Sequence, residues 1–240
     1  MPLPRCDAEA RTRFEARRIL GGVHGELYPI GKRAIDALVA TAGLITLSPL
    51  LLAIAIAIAA GSSGPVFYRA RRVGRLGKPF TMLKFRTMVV DADRLGGPST
   101  PEDDPRITPV GRFLRKAKLD ELPQLINVLK GEMSLVGPRP EVPEYVAMLT
   151  EDERRILSVQ PGMTDWASIW NADEGTVLAG SEDPERVYLE RIRPEKIRLQ
   201  LEYVRRRSMR VDLQIIAATF IRLFAPRSKP AQRVTRRMDE

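Results

Sequence analysis

Residues 37–60 read ALVATAGLITLSPLLLAIAIAIAA, and these 24 positions contain no charged side chain. A straight helix of this length reaches about 36 Å, which exceeds the roughly 30 Å hydrocarbon core of a bilayer. Ser48 and Pro49 interrupt the run near its middle. Proline removes a backbone donor and clashes with the carbonyl four residues earlier, so we expect the helix to kink there.

The charges that flank this run indicate that both of its ends face the cytoplasm, because basic residues mark the cytoplasmic side of a membrane segment. Lys32 and Arg33 precede the run. The basic residues that follow it are Arg69, Arg71, Arg72, Arg75 and Lys78. A helix that enters the membrane, breaks at Ser48-Pro49 and returns explains both flanks, with Ser48 bonding a freed backbone group. A spanning helix with a tolerated kink is the alternative that the residues leave open.

The composition of the 240 residues limits the chemistry. A hydrophobic fraction of 44% excludes a wholly disordered polar chain. A single cysteine, Cys6, excludes a disulfide framework, and a single histidine, His24, argues against a multi-histidine metal site. Catalysis would therefore rest on carboxylates, arginines and lysines. The net charge of +9 favours an anionic partner such as a phosphorylated substrate, a nucleic acid or a membrane headgroup.

The rest of the chain predicts an α+β fold: a mostly helical cytoplasmic domain with a small β-hairpin. The two predicted strands lie around Val66–Tyr68 and Phe80–Leu83, and a loop is expected over 91–105. Short and long helical patterns occupy 151–159 and 186–208. The predicted boundaries are a basic N-terminal extension over 1–28, a membrane helix over 29–64, a cytoplasmic domain over 65–224 that would carry any catalytic site, and a disordered basic tail over 225–240.

The apolar run Val211–Phe224 has only 14 residues, too few to span a bilayer. Its bulky apolar side chains and neighbouring arginines suit an amphipathic helix at the surface of an anionic membrane. A buried core helix fits the same residues equally well.

Asp120 and Glu121 are the most notable acidic residues, at the predicted start of a helix that runs to Lys130. An Asp in this position can be an N-cap, and Pro123 suits a first turn. It can also be a nucleophile or a metal ligand. Helix dipole and nearby cations would then keep it ionised and attract phosphate. Those cations are Arg112, Arg115, Lys116 and Lys118.

Arg139 is a second candidate, held between Pro138 and Pro140. A restricted guanidinium suits bidentate phosphate recognition, although a solvated arginine in a turn fits the same residues. Lys84 and Arg86 alternate along a strand, so both could face one side and contact a substrate. A solvated basic face is their alternative.

These motifs together resemble the bacterial sugar transferase family, the monotopic phosphoglycosyl transferases, over about residues 29–224 and in the minimal short form. The motifs, in chain order, are Lys32-Arg33-Ala34-Ile35-Asp36, Ser48-Pro49, Lys84-Phe85-Arg86-Thr87-Met88, Leu119-Asp120-Glu121-Leu122-Pro123-Gln124-Leu125, Asn127-Val128-Leu129-Lys130-Gly131, Ser134-Leu135-Val136-Gly137-Pro138-Arg139-Pro140 and Pro161-Gly162-Met163-Thr164.

The resemblance implies an enzyme at the cytoplasmic face of the bacterial inner membrane, anchored by a re-entrant helix broken at Ser48-Pro49. It would move a sugar phosphate from a nucleoside-diphosphate sugar, commonly UDP-linked, to undecaprenyl or another polyprenol phosphate, and release nucleoside monophosphate. This step begins exopolysaccharide, O-antigen or glycoconjugate synthesis. Asp120 would form a phosphosugar-aspartate, with Glu121 assisting.

The resemblance also implies Mg²⁺, held at Asp120, and phosphate contacts from Arg115 and Arg139. Phospholipids would be further partners, nucleic acid would not, and a homodimer is left open.

The chain departs from the family pattern after Pro161-Gly162. There it reads Thr164-Asp165-Trp166-Ala167-Ser168, where the family is commonly close to Thr-Gly-Trp-Ala-Gln. Gln160 stands where Arg or Lys is frequent. These changes put the sugar and nucleotide contacts in question, but they leave the Asp120 chemistry intact.

A non-enzymatic basic membrane adaptor that binds anionic lipid or nucleic acid is the alternative function. It explains the charge and the apolar run, but it gives no role to a carboxylate pair within a basic segment. Aromatic residues make up only 6% of the chain, fewer than base stacking on nucleic acid favours.

Overall fold

The computed structural model describes residues 27–95 and 99–224. The predicted basic tail and nearly all of the predicted N-terminal extension lie outside these residues. The described part is rich in helices and contains two small β-sheets, which agrees with the predicted mixture of helix and strand.

The apolar run forms two helices, α1 (Leu27–Thr46) and α2 (Ser48–Gly61), whose axes are bent by 62°. Pro49 lies in the first turn of α2, where its missing amide hydrogen costs no helical hydrogen bond. Ser48 Oγ donates to the carbonyl of Ile45 at 2.8 Å, as predicted for a residue beside the break. Among the described residues no single helix is long and apolar enough to cross a membrane, and only this bent pair qualifies when taken together.

A β-hairpin follows the bent pair and confirms the predicted strand pair. Strand β1 (Phe67–Val73) pairs antiparallel with β2 (Pro79–Phe85), and both strands are longer than predicted. A short 3₁₀ turn over Arg75–Gly77 joins them, with Leu76 at a φ of 58° and Gly77 at 75°. The glycine accepts this left-handed backbone without the steric cost that a side chain adds.

Short helices make up most of the remaining described chain. One of them lies inside the segment 91–105, which was predicted to be a loop throughout. The α-helices are α3 (Ala92–Leu95), α4 (Pro109–Lys116), α5 (Gln124–Lys130), α6 (Pro143–Ala147), α7 (Trp166–Trp170), α8 (Glu174–Leu178), α9 (Pro184–Val187), α10 (Arg193–Arg206) and α11 (Met209–Phe224). The 3₁₀ turns are Leu119–Glu121 and Glu153–Ser158, and Tyr188–Ile192 is a π-helical turn.

A second, parallel sheet pairs β3 (Ser134–Val136) with β4 (Gly162–Thr164), and the sequence analysis did not predict it. Three-residue strands carry too little alternation to be recognised in a sequence. The close approach of the two segments depends on glycine, because a Cβ on Gly162 would lie 2.1 Å from the amide nitrogen of Gly137. This sheet brings the turn around Arg139 next to β4.

Both arms of the bent helix pair pack on the same globular domain. Ala40 of α1 belongs to a cluster with Leu125 and Val128 of α5. Ile54 of α2 packs in a second cluster with Phe85 and Leu114. The opposite faces of both helices remain apolar and exposed, with Leu38 70% and Leu52 63% accessible. Because of the bend, the two apolar helices pack against two different core clusters of the domain.

Helix α11 fits both interpretations of its sequence, a buried core helix and an amphipathic helix at a membrane surface. Ile215 is fully buried in the largest core cluster, so one face is a core face. Leu213, Phe220 and Ile221 are between 57% and 69% exposed, so another face is apolar and uncovered. An exposed apolar face on a helix with neighbouring arginines suits a membrane surface.

Candidate active site

A groove of about 2140 Å³ runs between α1, the hairpin and α11, and the turn Leu119–Glu121 lies in its wall. Apolar side chains such as Val39 and Phe220 line one part of it. Charged side chains from separate elements line another, and they include every predicted catalytic and substrate-binding residue. These residues are Lys84, Arg86, Arg115, Asp120, Glu121 and Arg139.

Asp120 does not open the helix that follows it, so the predicted helix start is wrong. Lys118 has a left-handed backbone with a φ of 56°, and Leu119–Glu121 forms a single 3₁₀ turn. The helix α5 begins only at Gln124, with Pro123 as its N-cap residue and no side-chain cap. Proline has no amide hydrogen to extend a helical ladder through this point. The capping interpretation of Asp120 therefore fails.

Glu121 is fixed by two cations. Its carboxylate accepts from Lys84 Nζ at 2.9 Å and from both terminal nitrogens of Arg139, with Arg139 Nη1 to Oε2 at 3.0 Å. Burial would raise the pKa of Glu121, but Arg139 and Lys84 outweigh it and hold the pKa well below its usual range. Glu121 is therefore an ionised, immobilised carboxylate.

The carboxylate of Asp120, by contrast, makes no hydrogen bond to any described residue, although only 8% of the residue is exposed. Burial, and next the negative charge of Glu121, raise the pKa of Asp120. The cations Lys84, Arg115 and Lys118 oppose this shift without cancelling it. The cations therefore act in the direction expected from the sequence, but burial and Glu121 have the larger effect on the pKa of Asp120. An anion with no bonded partner retains its lone pairs for another group.

Arg115 lies in the last turn of α4 and also lines the groove. Within residues 27–95 and 99–224 its guanidinium makes neither a hydrogen bond nor an ion pair. Lys118 Nζ donates to the carbonyl of Ala172 at 3.1 Å. Arg115 is therefore the cation near Asp120 whose donors remain free for an anionic ligand.

Lys84 and Arg86 both line the groove, but they bond to different parts of the protein. Lys84 reaches Glu121, whereas Arg86 donates to the carbonyls of Ser62 and Ser63 at 2.8 and 2.7 Å. Arg86 follows the last residue of β2, so the alternation no longer applies to it. It is 6% exposed and ties the hairpin to the end of α2. Contact between Arg86 and a substrate stays a prediction.

The Arg139 turn is anchored by a residue that departs from the family pattern. Asp165 is fully buried, and its carboxylate accepts from the Arg139 backbone amide at 3.2 Å. The same carboxylate caps α7 by accepting from Ser168 N at 2.7 Å and Ser168 Oγ at 2.6 Å. Gln200 donates to it at 3.3 Å. The two departures, Asp165 and Ser168, therefore form one hydrogen-bonded unit behind Arg139.

Asn127 positions the hairpin against the Asp120 turn, and the sequence analysis assigned it no role. Its Oδ1 accepts from Leu83 N at 2.9 Å, and its Nδ2 donates to Thr81 O at 2.7 Å. These two bonds place Lys84 opposite Glu121. A polar residue within the apolar pattern of α5 was the available signal, because a buried amide needs hydrogen-bond partners.

The described residues contain no group of three or more His, Cys, Asp or Glu side chains that could hold a metal ion. Magnesium does not require such a cage, because it is commonly bound by one or two carboxylates together with waters and substrate phosphates. Both carboxylate oxygens of Asp120 are unbonded, so the donor set fits a metal that arrives with a phosphorylated substrate.

Comparison with protein families identifies the chain once this geometry is known. A family model described as bacterial sugar transferase matches residues 27–226. The chain belongs to the bacterial sugar transferase family. The match covers the bent helix pair, the hairpin and every residue of the candidate site.

Characterised relatives are similar over most of this chain. It is 40% identical over 199 residues to UDP-glucose:undecaprenyl-phosphate glucose-1-phosphate transferase of Escherichia coli, across 80% of this chain and 40% of that protein. It is 37% identical over 213 residues to the exopolysaccharide production protein ExoY of Sinorhizobium fredii, across 81% of this chain and 87% of that one. The chain thus spans less than half of the Escherichia coli relative but most of ExoY.

The two carboxylates are expected to have opposite effects on stability. Glu121→Ala leaves Lys84 and Arg139 without their shared anion, so the free energy of unfolding should fall by about 1–3 kcal/mol. Asp120→Asn removes a recessed charge that repels Glu121, so stability should stay equal or rise. Thermal unfolding of both variants in the same detergent measures the contrast. A loss in Asp120→Asn as large as that in Glu121→Ala would show that Asp120 is a structural carboxylate.

Proposed function

We propose that the protein transfers a sugar phosphate from a UDP-linked sugar to undecaprenyl or a related polyprenol phosphate, and that UMP is released. The observation that carries this proposal is the pairing of a fixed carboxylate, Glu121, with an unbonded one, Asp120, in a cationic groove. The name of the Escherichia coli relative supports the acceptor class and the reaction type, and the name of ExoY supports a role in exopolysaccharide production. A non-enzymatic adaptor gives no role to an unbonded carboxylate recessed in such a groove.

Asp120 acts as the nucleophile in this proposal. One of its oxygens attacks the sugar-bearing phosphorus of the donor, the bond to the bridging oxygen breaks, and UMP leaves with that oxygen. The phosphosugar-aspartate is then attacked by the phosphate oxygen of the lipid, which regenerates the carboxylate. Two steps let a water-soluble donor and a lipid acceptor use one carboxylate in turn.

The surrounding residues prepare this carboxylate. Arg115 offers a free guanidinium that can hold the donor's phosphates and stabilise charge that develops on them. Arg139 and Lys84 fix Glu121 beside Asp120, and the raised pKa of Asp120 makes it a more basic nucleophile than an exposed Asp. The predicted contact between Arg139 and a phosphate is also part of this proposal, although both terminal nitrogens of Arg139 are bonded to Glu121 in the structure.

A magnesium ion would be held at Asp120 and by the donor's own phosphates. When bound, it would neutralise part of the pyrophosphate charge. Asp120 has two oxygens, so holding a cation with one leaves the other available to the phosphorus.

The bent pair of α1 and α2 would serve as a re-entrant anchor at the cytoplasmic face of the bacterial inner membrane. Its exposed apolar faces, the uncovered side of α11 and the basic flanks support this placement against anionic phospholipid. The apolar part of the groove then joins the membrane side of the protein to Asp120, which suits a lipid acceptor.

A covalent adduct tests the function directly. Purified protein incubated with UDP-sugars and Mg²⁺, without lipid acceptor, should gain the mass of one sugar phosphate and release UMP. Asp120→Asn should fold but show neither change, because it removes the nucleophile and keeps the shape. An adduct that persists in Asp120→Asn would place the nucleophile elsewhere. Steady turnover with lipid but no adduct in rapid-quench samples would favour direct transfer.

The pH dependence of adduct formation should report the raised pKa of Asp120. The nucleophile must be ionised, so the rate should fall as the pH drops through that pKa, at a higher pH than for an ordinary Asp of about 3.9. Arg115→Gln removes a cation that favours the anion, so the acid limb should move to higher pH. Arg112→Gln, an exposed neighbour on α4, is the control and should leave the limb in place. An unshifted limb in Arg115→Gln would contradict this arrangement.

Thiol labelling should place both arms of the bent pair on one side of the membrane. Cys6→Ser provides a background without native thiols. Cysteines introduced at Ile30 and Arg69, which are exposed and flank the charge-free run 37–60, should both react in inverted vesicles and not in intact cells. Pro49→Leu should favour a straighter helix because the kink penalty disappears. Labelling of the two sites from opposite sides in the Cys6→Ser background would show a spanning helix instead.

A further inference from the structure

The groove beyond Arg139 has a polar wall that the proposed reaction does not use. Its side chains come from the segment after Arg139, from the start of α8 and from the π-helical turn and α10. They are Glu141, Asn171, Glu174, Tyr188 and Lys196. None of them belongs to the motifs on which the family resemblance was based.

Most of this wall is locked by internal contacts. Lys196 Nζ lies 2.5 Å from Glu141 Oε1, with only 12% and 19% of their side chains exposed. The same ammonium group donates to the hydroxyl of Tyr188 at 3.1 Å, and Tyr188 stacks on Tyr145 with a 4.9 Å centroid separation. These contacts fix Glu141, Tyr188 and Lys196 relative to one another.

Glu174 is different, because half of its carboxylate is not used. Its Oε2 accepts from Asn171 Nδ2 at 2.6 Å, which fixes the side chain. Its Oε1 has no hydrogen bond within the described part of the chain. Asn171 thus orients a carboxylate whose second oxygen remains available in the groove.

Glu174 lies near enough to two cations of the groove, Arg139 and Lys196, to interact with both electrostatically. Burial would lower the pKa values of Arg139 and Lys196, and their carboxylate neighbours raise both, with Glu174 contributing to each shift. Its negative charge therefore acts both on the arginine beside Glu121 and on the lysine of the rigid wall. Glu174 lines the same groove as Asp120 and Arg139.

We infer that Glu174, held by Asn171, is the specificity-determining residue for the donor's sugar, and that its Oε1 accepts a hydrogen bond from a sugar hydroxyl. The inference rests on the proposed function, since it assumes that the sugar-bearing phosphorus lies at Asp120. With that phosphorus fixed, sugar and nucleotide extend in different directions. A wall of carboxylate, amide and phenol groups matches hydroxyls, whereas phosphates match the free guanidinium of Arg115.

The charge of the wall also predicts a class of sugar that is rejected. Glu141 and Glu174 outnumber Lys196, so a carboxylate on the sugar would be repelled. The site should accept neutral sugars and discriminate against uronic acids. Hydroxyl recognition by a fixed acceptor gives strong discrimination, because a sugar without the matching donor leaves a polar group unpaired.

The test compares donors in the adduct-forming half-reaction, without lipid. The probes are UDP-glucose, UDP-galactose, UDP-N-acetylglucosamine and UDP-xylose, which differ at C4, C2 and C6, together with UDP-glucuronate. Glu174→Ala should lower the ratio of kcat/KM between the best and second-best neutral donors by at least about tenfold. Glu174→Gln should increase the use of UDP-glucuronate relative to the neutral donors. Inhibition by UMP should be unchanged in both variants.

Glu182→Gln is the matched control, because Glu182 is exposed and does not line the groove, and it should leave all ratios unchanged. A merely structural Glu174 would lower activity with every neutral donor by one common factor, and that result would overturn the inference while leaving the proposed function intact. A wild type that forms no adduct and releases no UMP with any of these donors would overturn the proposed function, and this inference with it.

Discussion

The ion pairs of Glu121 with Lys84 and Arg139 hold the candidate site together. They join three segments that are distant in sequence: strand β2, the Leu119–Glu121 turn and the turn between Pro138 and Pro140. Each cation is largely withdrawn from water, so either one without Glu121 would carry an unbalanced charge at considerable cost. Asn127 and Asp165 reinforce the same junction by fixing the hairpin and the Arg139 backbone. This arrangement also sets the environment of Asp120, because the adjacent Glu121 carboxylate is already bonded to Lys84 and Arg139.

The adjacent carboxylates of Asp120 and Glu121 differ in their bonding and in their pKa shifts because their surroundings differ. Asp120 and Glu121 share one 3₁₀ turn, and burial would raise both pKa values, but Arg139 and Lys84 lower that of Glu121 while that of Asp120 stays raised. One carboxylate is stabilised as a structural anion, and the other is left recessed, unbonded and more basic. Leaving a buried group without partners is destabilising. Such a cost is typical of a site whose partner arrives as a substrate.

The membrane segment is part of the domain's own architecture. Helix α1 packs on α5, which directly follows the Asp120 turn, and α2 packs against the base of the hairpin that carries Lys84. The two arms therefore support the two elements whose side chains meet at Glu121. Straightening the bend would separate these supports, so the geometry of the break bears on the groove as well as on the anchor.

The sequence by itself determined the bent apolar pair, the hairpin and the family, because a charge-free run, a central Pro49 and ordered motifs are local signals. It also singled out Asp120, Glu121, Arg115 and Arg139 as residues of one site. It could not determine that Glu121 is locked while Asp120 is free, that Arg86 binds the end of α2, or that Glu174 lines the same groove as Arg139. Those outcomes depend on which distant side chains meet and how much water remains around them, and only the tertiary structure decides both.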